Sequence, residues 1–420
     1  MFGRDALVVD GDGINQVLRV RASRLGGVLV GVLVLALNTC GGPTGVPAPG
    51  PSSIAAPAPP PPSVLPTRNV PLPEPAPAPS PTPSFTPRGF TVVGSGDVLL
   101  HNGLWAQAQR DSRGGGYDFR PILAGVKPVI SAADLAICHL ETPLGNPGGP
   151  FTGYPIFKVP PQIVPALRDT GYDACSTASN HSIDGGEAGV RRTLDALDKA
   201  GIAHAGMARS QAEQDTPTIV TVRGVRVGLL SYSFGFNGLR RPKGKEWLVN
   251  LLEPDRVRAA ARRARQAGAE VVIVSIHWGT EYEHNPNSQQ RDVAKRLLND
   301  GSIDLILGHH AHVVQPFERI GERWVAYGMG NHISYQGFSD DTRDGVISRF
   351  TFTEVGAGRF RITKAEALPT YMRLNDGPAR VLLVSACPAR LAGACRASGD
   401  RSTRVLRSRG ANPDLLTILR

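Results

Sequence analysis

Short apolar runs alternate with segments of helical periodicity between residues 90 and 327. Apolar runs without polar interruption are typical of strands buried on both faces, and strands that alternate with helices indicate an α/β architecture. We therefore predict an α/β fold. The predicted strands are residues 90–94, 135–138, 174–176, 225–230, 271–276, 305–307 and 324–327, and the predicted helices are residues 190–200, 255–267 and 289–299.

Side chains that bind metals follow most of these predicted strands. The chain has 10 histidines, and most of them fall in this set. Open α/β sheets bind ligands beyond the carboxyl ends of their strands, so the set predicts one shared metal site. A single histidine after a strand is more often a structural polar residue than a ligand, and the prediction depends on the whole set. Its members are Asp97, His139, Glu141, Asn180, His181, His277, His309, His310, His312, Asn331 and His332.

The N-terminus is typical of an exported protein. Four arginines between positions 4 and 24 precede an apolar run at residues 27–37, which is shorter than the ~20 residues of a membrane-spanning helix. The run ends in Leu37-Asn38-Thr39-Cys40, which resembles a bacterial lipobox, although Thr39 departs from it. We predict a signal peptide at 1–40 with lipidation at Cys40; an ordinary signal peptide or an uncleaved anchor are the alternatives. The expected location is extracytoplasmic, in the cell envelope, as a membrane-anchored lipoprotein or a secreted protein.

Composition divides the rest of the chain. Of the 36 prolines, 18 lie between residues 43 and 87, so we expect a disordered Pro/Ala-rich linker at 41–88. A folded domain is expected at 89–375. The apolar pattern weakens after Leu374, and the arginine-rich segment 376–420 is expected to be a partly disordered extension. The net charge of +10 allows attraction to polyanions or anionic lipids, but no aromatic residues interleave the arginines, which disfavours nucleic acid as a partner.

Export permits disulfides. Cys138 and Cys175 lie in apolar strand-like runs, and we expect buried thiols there. Cys387 and Cys395 are close together in a loop-like segment, and a local disulfide between them is the preferred pairing, although a sequence does not determine pairing.

Longer motifs surround the candidate ligands. With them, the stretch from about residue 90 to 374 resembles the CapA family, which is associated with bacterial capsule and poly-γ-glutamate synthesis and is similar to calcineurin-type metallophosphoesterases. The resemblance implies a metallophosphoesterase-like sandwich of two β-sheets flanked by α-helices. The motifs are GDVLL (96–100), LETPL (140–144), ASNHSID (178–184), HWGTEY (277–282), GHHAHVV (308–314) and YGMGN (327–331).

The resemblance also implies roles for individual residues. It makes His181 the acid that protonates a leaving group, and it implies one or two divalent ions, Mn, Zn, Fe or Mg, which this donor set does not distinguish. The implied metal ligands are Asp97, Glu141, Asn180, His277, His310 and His312, and the expected substrate-binding residues are His139, His309, Asn331 and His332. The chain departs from the pattern at Leu99, where metallophosphoesterases have the histidine of Asp-x-His. One metal position therefore lacks a ligand unless His101 or water supplies it.

Two functions are compatible with these features. The first is a metal-dependent hydrolase or transferase acting on an ester, amide or phosphoester bond of an anionic polymer or of a phosphorylated or peptidic small molecule. The alternative is a non-catalytic polyanion-binding protein that assists polymer export or attachment. The full set of strand-end ligands disfavours a third reading, a structural protein with a degenerate site.

Overall fold

A computed structural model describes residues 86–420 of the chain. The predicted signal peptide, the lipidation at Cys40 and almost all of the predicted linker lie outside the described residues. No helix within residues 86–420 is both long and apolar enough to cross a membrane.

The described part contains strands and helices in a mixed order. The strands are β1 (Gly89–Val98), β2 (Leu135–Leu140), β3 (Ala174–Ser176), β4 (Ala203–Ala205), β5 (Thr218–Val222), β6 (Val225–Ser233), β7 (Val271–His277), β8 (Leu305–His309), β9 (Phe317–Ile320), β10 (Arg323–Ala326), β11 (Asn331–Ile333), β12 (Asp344–Gly356), β13 (Arg359–Arg373), β14 (Arg380–Leu383) and β15 (Leu416–Ile418). The helices are α1 (Asn102–Asp111), α2 (Arg120–Leu123), α3 (Lys127–Ile130), α4 (Ile163–Thr170), α5 (Gly186–Lys199), α6 (Gln211–Asp215), α7 (Pro254–Gln266), α8 (Ser288–Asn299) and α9 (Ala392–Leu406).

The strands form two sheets. One has nine strands in the order β14-β13-β12-β1-β2-β3-β4, with β11 paired to β1 and β15 paired to β13. The other has six, in the order β5-β6-β7-β8-β10-β9. Apolar side chains of β1 and β2 share a buried cluster with side chains of β7 and β8, so the sheets pack face to face. The predicted α/β sandwich of two sheets flanked by helices is confirmed.

Helices cover the outer face of each sheet. The large sheet is covered by α1 to α5, whose apolar faces join its core, and the six-stranded sheet by α7 and α8. Local sequence explains the helix starts: Pro254 opens α7, and Asn287 and Gln290 form a reciprocal capping box at α8, which satisfies amide groups left free at a helix start.

The central strands of both sheets are parallel, which determines where their ends lie. β1, β2, β3 and β4 run parallel to one another, and so do β6, β7, β8 and β10. The carboxyl ends of each parallel set therefore lie at one edge of its sheet, where the loops that follow them can meet.

The C-terminal segment corrects the expectation of a partly disordered extension at 376–420. β14 and β15 both pair with β13, and Leu406 and Leu416 are buried in the core between the sheets. Arginines of the segment pair with carboxylates on other elements, as Arg401 does with Asp344 and Arg409 with Glu318. These partners are distant in sequence, so the arginine-rich composition alone did not reveal them.

Disulfides join both remaining cysteine pairs. Cys138 and Cys175 are register partners on β2 and β3, with Cα atoms 4.5 Å apart, and they form a disulfide rather than the buried thiols expected. Cys387 and Cys395 are also disulfide-bonded, close to Tyr371 and Leu391.

Candidate metal centre

The predicted ligands converge because they follow parallel strands of both sheets. Asp97 is the penultimate residue of β1, Glu141 directly follows β2, and Asn180 lies four residues after the end of β3. The six-stranded sheet contributes His277 at the end of β7 and the segment 309–312 at the end of β8. Asp97 on β1 is the register partner of His139 on β2 and of Asn331 on β11, so these three residues lie side by side across neighbouring strands.

The turn at residues 309–312 wraps around the carboxylate of Asp97. Asp97 Oδ2 accepts a hydrogen bond from the backbone N–H of His310 at 3.2 Å, and its Oδ1 lies 3.2 Å from His309 Nδ1. His312 Nδ1 lies 3.1 Å from Asp97 Oδ2. His310 and His312 have φ values of 90° and 54°, a left-handed backbone that costs about 1–3 kcal/mol per residue. Strain retained at two candidate ligands is typical of a functional site.

Glu141 is the least satisfied polar residue of the cluster. It is fully buried, and neither carboxylate oxygen has a hydrogen-bond partner. Its Oε1 lies 3.8 Å from His312 Nε2 and 4.0 Å from His277 Nε2, between the two histidines. Burial raises the pKa of Glu141 well above its ordinary value. A buried carboxylate is costly without a cation or a donor, so this position favours a positive charge.

A chain of contacts orients His277. His277 Nε2 lies 2.9 Å from Asn180 Oδ1, its Nδ1 lies 3.0 Å from His139 Nε2, and His139 Nδ1 lies 2.8 Å from Ser176 Oγ. Burial, followed by the neighbouring histidines, holds the pKa of His277 well below its ordinary value. Neutral imidazole is the form that binds metals.

Charges on the carboxylates act on the other histidines. Burial lowers the pKa of His310 to about 3. Burial alone would also lower the pKa of His312, but the carboxylates of Glu141 and Asp97 raise it to about 9. For Asp97, burial opposes ionisation, yet hydrogen bonds from His309 and His312 hold its pKa well below the ordinary value.

The donor set fits divalent metal ions. Potential ligand atoms lie within 4.8 Å of one another in three groups, which are Asp97 with Glu141 and His312, Glu281 with His310 and His312, and Asp97 with His139 and His309. Carboxylate, imidazole and amide oxygen donors suit Mn, Zn, Fe or Mg without selecting among them. The unpartnered oxygens of Glu141 and the unpartnered Nδ1 of His310 are available to such an ion.

His181 lies beside the cluster. Its Nδ1 lies 2.8 Å from Asp184 Oδ2, and its Nε2 lies 3.5 Å from the side-chain nitrogen of Asn237. The same Asn237 accepts a hydrogen bond from Asn180. The ring of Phe157 packs edge-on against His181 at 4.7 Å. Asp184 and Phe157 thus hold the imidazole in one orientation.

The four residues expected to bind substrate lie behind the ligands. His139 and His309 stack with ring centroids 3.9 Å apart, and Asn331 Oδ1 lies 3.1 Å from His312 Nδ1. His332 is on the opposite face of β11 from Asn331, where its Nε2 lies 2.9 Å from the hydroxyl of Tyr172. Each of the four is at most 2% exposed, so these side chains position ligands or fill the core rather than line an open surface.

Several residues of the site escaped the sequence analysis. Asp184 had a usable signal, because it lies three residues after His181 in the same motif. Glu281 lies in the motif HWGTEY and so had a signal of the same kind, whereas Asn237 lies in a loop outside every motif. Phe234 and Tyr282 are partly exposed aromatic residues that pack against His310 and His312, at centroid distances of 4.6 and 6.2 Å. His101, considered as a replacement ligand, instead lies 3.3 Å from Ser334 Oγ through its Nδ1.

The geometry therefore defines a class of protein: an α/β sandwich of two sheets with a buried cluster of histidines and carboxylates at the carboxyl ends of its parallel strands. The sequence pattern of the family described as bacterial capsule synthesis protein PGA_cap matches residues 91–336, a range that contains every predicted ligand. The chain belongs to this family, and the predicted resemblance to CapA proteins is confirmed.

Individual relatives match over part of their length. The chain is 31% identical over 208 residues to the PGA biosynthesis protein CapA of Bacillus subtilis, covering 48% of this chain and 53% of that protein. It is 28% identical to the capsule biosynthesis protein CapA of Bacillus anthracis, covering 46% and 48%. For a probable polyglutamine synthesis accessory protein of Mycobacterium tuberculosis, the identity is 30%, covering 49% and 57%. The chain thus spans about half the length of the curated relatives it matches.

Similar solved structures include the calcineurin-like phosphoesterase YfkN of Bacillus subtilis, with a TM-score of 0.39, 14% identity and coverage of 77% of this chain and 100% of that one. A 5'-nucleotidase precursor from Thermus thermophilus has a TM-score of 0.41, 14% identity and coverage of 75% and 59%.

Proposed function

We propose that this protein is a metal-dependent hydrolase or transferase that acts on an ester, amide or phosphoester bond during capsule or poly-γ-glutamate synthesis, outside the cytoplasm. The observation that carries the proposal is the position of His181. It has a carboxylate behind it at Asp184, and it is linked through Asn237 to the ligand Asn180.

Six residues would hold the metal. They are Asp97, Glu141, Asn180, His277, His310 and His312. Divalent ions bound there would polarise the oxygen of the scissile bond and lower the pKa of an attacking water. The chain itself supplies the remaining tasks, which are to orient these ligands, to exclude water from them and to deliver a proton.

His181 is suited to proton delivery. The carboxylate of Asp184 accepts a hydrogen bond from Nδ1–H, which leaves Nε2 directed toward Asn237 on the side of the ligand Asn180. The Asn237 amide faces Nε2 with its nitrogen, a donor, so a leaving oxygen or nitrogen must take its place before a proton on Nε2 can pass to that atom within hydrogen-bond distance. Asp184 keeps the imidazole oriented, as a carboxylate behind a catalytic histidine does.

A basic loop supports the alternative of a polyanion-binding protein. The loop that begins with Phe234 and Asn237 at the metal centre continues into Arg240-Arg241-Pro242-Lys243-Gly244-Lys245. Lys245 pairs with Glu187, whereas Arg240 and Lys243 are exposed and make no ion pair with any residue in the range 86–420. Exposed cations leading toward the site would attract an anionic polymer. Membrane attachment through Cys40 would hold either kind of protein at the envelope.

The test uses a second histidine–aspartate pair, away from the metal centre, as its control. His204 Nε2 lies 3.0 Å from Asp198 Oδ1, whereas His181 contacts Asp184 through Nδ1. We expect His181→Ala to lower kcat by about 10²–10⁴-fold with unchanged metal content, and His204→Ala to leave kcat unchanged. The substrates are a phosphodiester, a carboxylic ester and a γ-glutamyl amide, each tested with Mn²⁺.

The outcomes separate the two functions. Turnover of any substrate that His181→Ala abolishes supports catalysis with His181 as the acid. Turnover that survives in His181→Ala removes that role. No turnover by the wild type, together with co-sedimentation of poly-γ-glutamate that the double variant Arg240→Ala/Lys243→Ala weakens, establishes the polyanion-binding alternative instead.

A further inference from the structure

One metal position is short of a ligand. Leu99 occupies the place where metallophosphoesterases have a histidine, and its side chain is 2% exposed and packed in the core of the large sheet. The group formed by Asp97, Glu141 and His312 therefore has no donor from this position. The loop after β7 offers another carboxylate, Glu281, close to His310 and His312.

We propose that Glu281 is a further metal ligand, acting with His310 and His312 beside the position that Leu99 leaves short of a donor. A carboxylate oxygen of Glu281 and ring nitrogens of His310 and His312 all lie within 4.8 Å of one another. Ligand bonds to a first-row divalent ion are about 2.0–2.2 Å long, so two atoms that share an ion are at most about 4.4 Å apart, and a small adjustment of the side chains would bring atoms at the 4.8 Å bound to that separation. His312 belongs both to this group and to the group with Asp97 and Glu141, which places Glu281 next to the incomplete position.

The backbone holds Glu281 in this place. Before Glu281 in the chain, the N–H of Trp278 donates a hydrogen bond to the carbonyl oxygen of His309 at 3.2 Å. After it, the N–H of Tyr282 donates a hydrogen bond to the carbonyl oxygen of Ala311 at 2.8 Å. Two hydrogen bonds thus tie the segment around Glu281 to the turn that carries His310 and His312. Tyr282 has a φ of 64°, a left-handed conformation that persists in a bulky residue only where its surroundings impose it.

Unpartnered atoms at the same point support a ligand there. His310 is 4% exposed, and its Nδ1 has no hydrogen-bond partner. Buried polar atoms in proteins are normally hydrogen-bonded, so His310, which also belongs to the group with Glu281, has a ring nitrogen that an ion could satisfy. Glu281 itself is exposed, and a metal ion at this position would therefore face the open side of the site, where a substrate arrives.

The carboxylate count agrees with this reading. Once a bound ion has displaced the protons that Glu141 and His312 hold in its absence, Asp97, Glu141 and Glu281 would supply three negative charges to balance divalent cations. The inference rests on the proposed metal centre, although it does not depend on hydrolysis.

The experiment measures metal binding by the full chain. Wild type, Glu281→Gln and the control Glu283→Gln are stripped with chelator and titrated with Mn²⁺; bound ion is measured by elemental analysis and by the Mn²⁺ electron paramagnetic resonance spectrum. Glu283 is also exposed, and no hydrogen bond or ion pair of its side chain is found within residues 86–420. We expect Glu281→Gln to lose an equivalent of Mn²⁺ or to bind its weaker ion at least ~10-fold less tightly, and Glu283→Gln to match the wild type.

Further variants and a separate assay keep the conclusions apart. Glu281→His supplies a nitrogen donor and should restore part of the lost affinity. Equal binding curves for wild type and Glu281→Gln would overturn the inference, as would a wild type that binds no Mn²⁺. A wild type that binds Mn²⁺, loses affinity in Glu281→Gln and hydrolyses no substrate would retain Glu281 as a ligand and refute the catalytic function.

Discussion

Replacing Glu141 with glutamine should have opposite effects on the metal-free and the metal-bound protein. Glu141 is fully buried with two unpartnered oxygens, and burial raises its pKa well above the ordinary value. A carboxyl whose pKa is higher in the folded than in the unfolded state weakens stability as pH rises above the unfolded pKa, and the penalty is complete above the folded pKa. Glu141→Gln removes this penalty, so the metal-free variant should be at least as stable as the wild type at neutral pH.

Metal binding should stabilise the wild type far more than the variant. At a free metal concentration of 100 times Kd, binding adds about 2.7 kcal/mol. The described part has about 330 residues and therefore an unfolding entropy near 0.7 kcal/mol/K, so Tm should rise by about 4 °C. If the loss of the carboxylate weakens binding about 100-fold, the same metal concentration adds only about 0.4 kcal/mol, and Tm should rise by less than about 1 °C.

Differential scanning calorimetry with EDTA or with Mn²⁺ measures both effects, and Glu283→Gln controls for loss of a nearby negative charge. The reasoning would be refuted by a Glu141→Gln variant that keeps the full Mn²⁺-dependent rise in Tm. A metal-free variant that melts well below the wild type would also contradict it, since that result would mean that the carboxylate has partners within the protein.

Two predictions concern the elements around the site. Arg401 binds Asp344 through two hydrogen bonds of 2.8 and 2.9 Å, and Asp344 is 3% exposed. Arg401→Ala should therefore lower the free energy of unfolding in urea by about 2–4 kcal/mol, a value reduced because the arginine is partly exposed. The double variant Arg401→Ala/Asp344→Asn should lose less, because no buried charge is left without a partner. Equal losses in the two variants would show that the pair does not anchor α9. The hydroxyl of Tyr172 lies 2.8 Å from Ser95 Oγ and 2.9 Å from His332 Nε2, and Tyr172→Phe leaves both groups without it. This variant should lower the free energy of unfolding by about 1–3 kcal/mol and leave the Mn²⁺ affinity unchanged. A fall in that affinity would instead place His332 in the metal site.

The sandwich and the convergence of the candidate ligands were predictable because both follow from local patterns. Apolar runs such as residues 271–276 predict strands buried on both faces, and the polar residues at their ends, such as His277, must lie at the edge where parallel strands finish. The conclusion requires no knowledge of strand order, since every parallel strand of a sheet ends on the same side. The role proposed for His181 came from the motif resemblance and stays a prediction.

Other features depended on contacts between residues far apart in the chain. The disulfide between Cys138 and Cys175 requires the register of β2 against β3, and the ordered segment after Leu374 requires the carboxylates that its arginines meet on other elements. The motif HWGTEY contains Glu281 and not Glu283, but only the tertiary structure showed that Glu281 lies close to His310 and His312.

The sequence by itself determined that the strands end in histidines, carboxylates and asparagines of the kind that bind metals, and the family resemblance singled out Leu99 as a departure from the ligand pattern. Only the tertiary structure decided which ligand atoms meet, because that depends on how the two sheets pack and how loops cross between them. The hydrogen bond from Tyr282 to Ala311 is the clearest example, since it joins two strand-end loops and brings Glu281 close to His310 and His312.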